Sequence, residues 1–373
     1  MARTLRSDKL LFWATILLVA ASVVMVYSAS VADALDQARP TIGFFAKQMA
    51  WATIGIGLLL TVMRVDYHTY QRPQVIWGLL GVTVFLLLAV FLFPARNGAT
   101  RWIGAGGFTL QPSELAKLAV AFFTAAFVER RMHRIDDVGY ALMPVLIVAS
   151  GLIGLIVLQP DLGTSAMIGA IVGAILFAAG LSYRYVVGGG LLALSGVFFL
   201  VFLYSWRMKR IMAFIDPWSD PFGSGYQIIQ SFIAIGSGGV FGRGLMNGVQ
   251  KLNYLPEAHT DFIFSVIGEE FGLIGTTIVL ACFVVIAWRG LRAALRAPDR
   301  FGALLAIGLT AMLAVQGLIN MSVTTGLLPN KGIPLPFVSS GGSSLLVNLI
   351  AMGILLNISQ RASPLAAGLE ERA

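Results

Sequence analysis

Glu257, His259 and Asp261 lie in the segment Tyr254-Leu-Pro-Glu-Ala-His-Thr-Asp261-Phe-Ile-Phe, three ionisable side chains ending a long polar stretch and directly preceding an apolar run. A carboxylate at such a boundary is partly desolvated, which raises its pKa and strengthens it as a base. Asp261 is therefore the first candidate for proton transfer. Its structural alternative is the N-cap of the following helix, a place for which Thr260 competes. In extended chain the three residues would share one face and could hold a divalent cation such as Mg or Mn. No cofactor is required by the sequence.

Cations surround this segment. Arg101, Arg207, Lys209, Arg210, Arg243, Lys251 and Lys331 lie outside the apolar runs, all but Arg101 in two polar stretches, one of them running through Gly236, Gly238, Gly239, Gly242, Gly244 and Gly248. Arg forks and backbone N–H groups suit a pyrophosphate. The glycines read equally well as close-approach positions or as simple flexibility. They are not followed by Lys-Ser/Thr and sit in no βαβ unit, so a nucleotide-binding loop is not indicated. The driving force would then come from the substrate's own phosphate bond.

Further ionisable groups enter apolar runs, where each costs at least ~2.5–3.5 kcal/mol at mid-bilayer and so becomes a functional candidate. Glu114 and Lys117 are one turn apart and can pair, although they also suit an ordinary helix start. Asp161, in Gln159-Pro-Asp-Leu-Gly-Thr164, either caps a helix or reaches Lys117. Glu269 and Glu270 stand about two turns into the run after Asp261, roughly 12 Å along the helix.

The elements that position these groups follow from composition. Of 373 residues 57% are hydrophobic and 12% charged, and the mean hydropathy is +0.83. Apolar runs near the ~20 residues that cross a bilayer core define an all-α, polytopic integral membrane protein. Ten are read: 10–29, 44–63, 75–93, 113–129, 140–158, 164–181, 186–204, 262–288, 302–326 and 343–359. Their continuity excludes a barrel of short alternating strands. Lys and Arg are enriched in the connections that share a side with the N-terminus, which places both termini in the cytoplasm. The net charge of +8 is explained by that bias, and no basic domain points to nucleic acid. Ala32-Asp-Ala34 could pass for a signal cleavage site, but the first apolar run is longer than a signal h-region, so an uncleaved span is expected.

Residues 1–373 read as one membrane domain with a single long extracytoplasmic loop, 205–260, between the seventh and eighth spans. Its aromatics, Trp206, Phe214, Trp218, Phe222, Tyr226, Phe232, Phe241 and Tyr254, argue against a solvated linker. Within it, 226–235 shows one apolar face and reads as an interfacial or re-entrant helix. Thr325 to Gly342 carries Pro329-Asn-Lys-Gly-Ile-Pro-Leu-Pro336, a rigid non-helical segment that must be buried in protein or line a cavity. Gly169-x-x-x-Gly173 and Gly268-x-x-x-Gly272 are spacings that admit close helix approach.

Gly98-Ala-Thr-Arg-Trp-Ile103, Leu110-Gln-Pro-Ser-Glu-Leu-Ala-Lys117, Gln159-Pro-Asp-Leu-Gly-Thr164, Asp216-Pro-Trp218, Gly225-Tyr-Gln227, Leu255-Pro-Glu-Ala-His-Thr-Asp-Phe-Ile-Phe264, Lys331-Gly-Ile-Pro-Leu-Pro336 and Gly341-Gly-Ser-Ser344 occur in that order. Together they resemble the SEDS family (shape, elongation, division, sporulation) of bacterial peptidoglycan glycosyltransferases, over the whole chain and with wording closer to the division members. The resemblance implies polymerisation of lipid II, the undecaprenyl-pyrophosphate-linked disaccharide pentapeptide, beside a class B penicillin-binding protein and other divisome or elongasome membrane proteins. By that likeness Asp261 is the catalytic carboxylate. Substrate contacts are expected from Arg101, Glu114, Lys117, Asp161, Arg210, Arg243, Lys251, Glu257, His259, Lys331, Ser343 and Ser344. Ser340 stands where the family usually has Tyr, and Met246 where it usually has Gly. A lipid II transporter and a non-catalytic cell-wall scaffold are the competing readings.

Overall fold

The structure, a computed structural model, describes residues 8–30, 41–94, 99–105, 108–252 and 254–370. Ala32-Asp-Ala34, Arg96 and Gly98 lie outside them. Twelve α-helices are present among the described residues. They are α1 Lys9–Ala29, α2 Thr41–Val62, α3 Pro73–Ala89, α4 Pro112–Glu129, α5 Met143–Leu158 and α6 Leu162–Ala178. After these come α7 Tyr183–Phe202, α8 Ser205–Ile215, α9 Tyr226–Gly238, α10 Ile263–Leu295, α11 Arg300–Thr324 and α12 Gly342–Glu370. Each of the ten expected spans coincides with one helix, and the two additional helices, α8 and α9, occupy the long loop. Eight helices are long and apolar enough to cross a membrane by themselves, with α6 a shorter apolar helix. A small hairpin that hydropathy gave no sign of, β1 Ile103–Ala105 with β2 Phe108–Leu110, pairs antiparallel with Ile103 opposite Leu110.

The bundle is arranged around α4. Nearly every side chain of this helix is buried, Glu114 and Lys117 included, and α3, α6 and α11 pack on it. A helix covered on all sides needs no polar face. At the other extreme α7 buries nothing within the chain and lies at the edge of the bundle. A second axis is formed by α10, which packs against α1, α9 and α11, while α12 lies along α2.

α10 is not continuous. Gly272 has φ 63° and ψ −156° inside it, a conformation essentially confined to glycine. The break would leave carbonyls and amides unpaired, and the loop after α9 takes them over. Arg243 N–H donates to Glu269 O at 2.9 Å and Gly244 N–H to Glu270 O at 3.0 Å, while Leu273 N–H and Ile274 N–H donate to Gly239 O and Val240 O at 2.9 and 3.3 Å. Such an exchange demands backbone-to-backbone approach. A Cβ at Gly272 would meet Gly242 N and Val240 O at 2.5 Å, and one at Gly238 or Gly242 would overlap the carbonyl of Gly268 or Glu270. The glycine run therefore serves close approach, and what it approaches is α10. Of the small-residue spacings, Gly268 and Gly272 do receive a neighbour, whereas Gly169 and Gly173 face open space.

Replacing Gly272 by Ala introduces both a disfavoured dihedral and a clash with backbone. It is expected to cost ~2–4 kcal/mol, read as a clear drop in the melting temperature of purified protein in detergent, whereas Gly169→Ala should leave the melt within experimental scatter.

Candidate active site at the meeting of two loops

Asp261 sits just ahead of α10, but it does not cap it: the residue at the cap position is Phe262 and no side chain bonds the first turn. Residues 254–262 form turns, with Glu257 at φ 55°. Glu257, His259 and Asp261 consequently do not share the single face that an extended strand would give them. Among the described residues no three His, Cys, Asp or Glu side chains converge as a metal-ligand set.

The segment 254–262 is joined to the second loop, 325–341. Ser339 Oγ donates to Thr260 O at 2.6 Å, Ser340 N–H donates to His259 O at 2.9 Å, and Leu335 N–H is held by Ser339 Oγ at 2.8 Å. From α11, Asn320 Nδ2 donates to both sides of the junction, to Asp261 O at 2.8 Å and Ile333 O at 2.7 Å. Gly332 lies against the Asp261 carboxylate so closely that a Cβ there would overlap Oδ2. Non-helical backbone at the membrane boundary is thus satisfied by protein, as it must be.

Four cations face this junction, three from two further regions and Lys331 from the second loop itself. Arg101, before β1, is fixed by its Nε to Gln159 O at 3.0 Å and by a second bond to Pro160 O. Arg207 and Arg210 come from α8. The Arg207 guanidinium is 4.5 Å from the Tyr204 ring and that of Arg210 5.2 Å from the Trp206 ring, so aromatic faces hold both. Lys331 passes over Gly163, where a Cβ would stand 3.0 Å from its Cε. That close passage accounts for the glycine in Asp161-Leu-Gly163.

Burial pushes Asp261 up to about 7, and the Glu257 carboxylate adds to the rise, while Arg101, His259 and Arg210 pull it down without cancelling it. Lys331 is brought down to about 7, mainly by burial; Asp161 opposes this and Arg101, Arg207 and Arg210 reinforce it. Arg207 and Arg210 are both lowered by burial first. A carboxylate and an amine shifted toward neutrality within one field of guanidinium groups are suited to acid–base chemistry beside a bound anion.

Other expected site residues are placed around this centre. Asp161 caps α6 through Thr164 N–H at 3.2 Å, accepts from Thr164 Oγ1 at 2.8 Å and from Gln111 Nε2 at 3.4 Å. It does not pair with Lys117. Lys117 Nζ instead lies 2.9 Å from Glu114 Oε2 and donates to Gln316 Oε1 at 2.5 Å. Ser343 Oγ accepts from Gln111 N–H at 3.2 Å and Ser344 Oγ from Asn348 Nδ2 at 3.3 Å. Arg243 and Lys251 go elsewhere, to the α10 break. Lys251 Nζ pairs with Glu270 at 2.5 Å and donates to Ser28 Oγ at 2.7 Å, and Arg243 stands 3.7 Å from Glu269. Gln316, Asn320 and Ser339 were missed by a search for ionisable groups. The signal available for the first two was an uncharged amide at i and i+4 within an apolar run.

The FtsW/RodA/SpoVE family of cell cycle proteins matches residues 8–363, and the chain belongs to it. It is 44% identical over 359 residues to a probable peptidoglycan glycosyltransferase FtsW of Geobacter sulfurreducens, covering 95% of this chain and 96% of that one. It is also 44% identical over 359 residues to stage V sporulation protein E of Bacillus subtilis, covering 95% and 97%. A solved structure described as a peptidoglycan synthase complex coordinating polymerization and crosslinking contains a chain that superposes with TM-score 0.75 at 30% identity, over 96% of this chain and 99% of that chain. Rod shape determining protein RodA of Thermus thermophilus superposes with TM-score 0.70 at 26% identity, over 96% and 99%.

The contact between Gly332 and the carboxylate gives a local test. Gly332→Ala must displace Asp261 Oδ2 or the loop, and a misplacement of about 1 Å can cost ~10²-fold in rate. Polymerisation by this variant is expected to fall by that order while its melting temperature stays close to wild type.

Proposed function

We propose that this protein is a peptidoglycan glycosyltransferase that polymerises lipid II at the outer face of the cytoplasmic membrane, with both termini in the cytoplasm. The observation that carries the reading is the Asp261 carboxylate, raised to about 7, faced by Arg101 and Arg210 and closed on one side by Gly332, the neighbour of Lys331. In this reading Asp261 takes the proton from the 4-hydroxyl of the acceptor sugar. That oxygen bonds to the anomeric carbon of the donor, the bond from this carbon to pyrophosphate oxygen breaks, and undecaprenyl pyrophosphate leaves with the electron pair. A single displacement inverts the anomeric centre. Arg101, Arg210 and Lys331 would meet the charge that develops on the leaving group, a contribution of the kind that preorganised donors make.

Lys331 has a second use. An amine near neutrality can hold its proton toward the leaving oxygen as that bond lengthens. Glu257 and His259 border the acceptor side, and Asp161 steadies Lys331. Among the described residues no three His, Cys, Asp or Glu side chains form a ligand set for a divalent ion, and charge on the leaving group would be met by the protein's own cations. The relatives named FtsW and stage V sporulation protein E support a role in septal or spore wall synthesis, and the synthase complex supports a transpeptidase partner of the class B penicillin-binding type.

The test is polymerisation of lipid II by purified protein, with and without that partner. Asp261→Asn is expected to lose ~10²–10⁴-fold while still binding lipid II. Undiminished glycan chains would remove Asp261 as base, and absence of polymer from every preparation would favour transport or scaffolding. For wild type, kcat/KM should be bell-shaped with both limbs near 7, because Asp261 must lose its proton and Lys331 keep its own. Stability carries the same sign. The folded state raises the Asp261 pKa, so stability falls as pH rises from the ordinary carboxylate range toward 7. Asp261→Asn should therefore melt higher than wild type, and the difference should grow across that window.

A further inference from the structure

Gln316 and Asn320 are buried amides one helical turn apart in α11. Both side chains bond to loop backbone beyond their own helix. Asn320 Nδ2 donates to Asp261 O at 2.8 Å and to Ile333 O at 2.7 Å, bridging the two loops. Gln316 Nε2 donates to Pro334 O at 2.9 Å, three residues past Lys331, and its Oε1 accepts from Lys117 Nζ at 2.5 Å. Asn320 Oδ1 is buried without a hydrogen-bond partner, so the side chain bears an unmet acceptor while its donors reach both carbonyls. An unmet buried acceptor is costly, and a packing role would be filled better by Leu.

We propose that Asn320 is a positioning residue for the general base. It holds the Asp261 main chain and the 331–336 segment at one separation, which keeps the carboxylate closed against Gly332, and Gln316 anchors the same segment to the Lys117–Glu114 pair in the membrane. This rests on Asp261 being the base. Other ties between the loops among the described residues, from Ser339 and Ser340, reach Thr260 and His259. Without Asn320 Nδ2 the loops can part at Asp261 itself. The carboxylate, which is already partly accessible, then becomes more so, and it remains faced by Glu257, His259, Arg101 and Arg210, with Lys331 one residue from Gly332. Burial is the main cause of its high pKa, so wetting it leaves a weaker and misplaced base.

The experiment compares Asn320→Leu, Asn320→Ser and Asp261→Asn in the full-length protein with its transpeptidase, measuring kcat and KM for lipid II across pH 5–9 beside melting temperature. Asn320→Leu is expected to lower kcat by ~10–100-fold, leave KM within about twofold, and move the acid limb from about 7 toward the ordinary carboxylate value near ~4. Asn320→Ser, which retains a donor and a small side chain, should fall between and covers the case in which the leucine variant does not fold. A rate loss with the acid limb unmoved in both variants overturns the proposal, as does a wild-type profile. Full activity of Asp261→Asn would overturn the base reading instead, independently of either Asn320 variant.

Discussion

The structure depends on one constraint: a backbone that leaves the helical conformation in or beside a membrane must find its hydrogen bonds within the protein. Here the chain departs from helix at the Gly272 break, at the 254–262 turns and through the proline-rich 325–341 segment, and each departure is met by a different device. At Gly272 the partner is another backbone, the 239–244 stretch, which exchanges bonds with both halves of α10. At the other two the partners are side chains, Asn320, Gln316 and Ser339. The first device needs glycine at Gly238, Gly242 and Gly272, where a Cβ would overlap the opposing backbone. The second is built mainly from groups that donate, because most of the atoms they meet are carbonyls, and Ser339 Oγ also accepts from Leu335 N–H.

These devices allow charge to gather where it otherwise would not. Lys251 and Glu270 are buried as a pair beside the break, and Glu114 and Lys117 as another inside the bundle. Around Asp261 the balance is different. Arg101, Arg207, Arg210 and Lys331 outnumber the Asp261, Glu257 and Asp161 carboxylates near them, yet burial still dominates the Asp261 titration. Arg101, Arg207 and Arg210 are held by carbonyls and aromatic rings, and they do not collapse onto the acid as ion pairs. An anion arriving there would find donors already aimed and partly dehydrated, which is the condition under which such groups contribute most.

Much of this was legible in the sequence, and what was not has a consistent cause. The ten helices could be read because hydropathy is a local property, and α4 could be read despite Glu114 and Lys117 because its remaining length is apolar. Asp261, Arg101, Arg210 and Lys331 could be singled out by type and surroundings, and the resemblance linked them before any geometry did. The exchange at Gly272 could not be read, since the glycines and the helix they serve are some thirty residues apart and neither motif names its partner. Asp161 and Lys117 each offered a charge to the other, but Thr164 and Gln316 lay nearer. Period-two spacing suggested a common face for Glu257, His259 and Asp261, whereas Glu257 adopts φ 55° and turns the chain. Gln316 and Asn320 carry no charge, so only their amides set them apart from the apolar run around them.

The two departures from the family pattern now have a physical location. Met246, in place of Gly, has φ 69°, so it carries the ~1–2 kcal/mol that a side chain pays in the left-handed region. Its side chain is exposed, which leaves that backbone strain as the principal cost and keeps the loop path of a glycine. Ser340, in place of Tyr, meets the Asp261 loop through its main-chain N–H to His259 O, a bond that any residue except proline can make. In both places the backbone does the positioning and the side chain is free to vary. The residues that touch the junction through side chains, Ser339, Asn320 and Lys331, are the ones whose chemistry cannot be exchanged so cheaply, and the absence of a Cβ at Gly332 belongs with them.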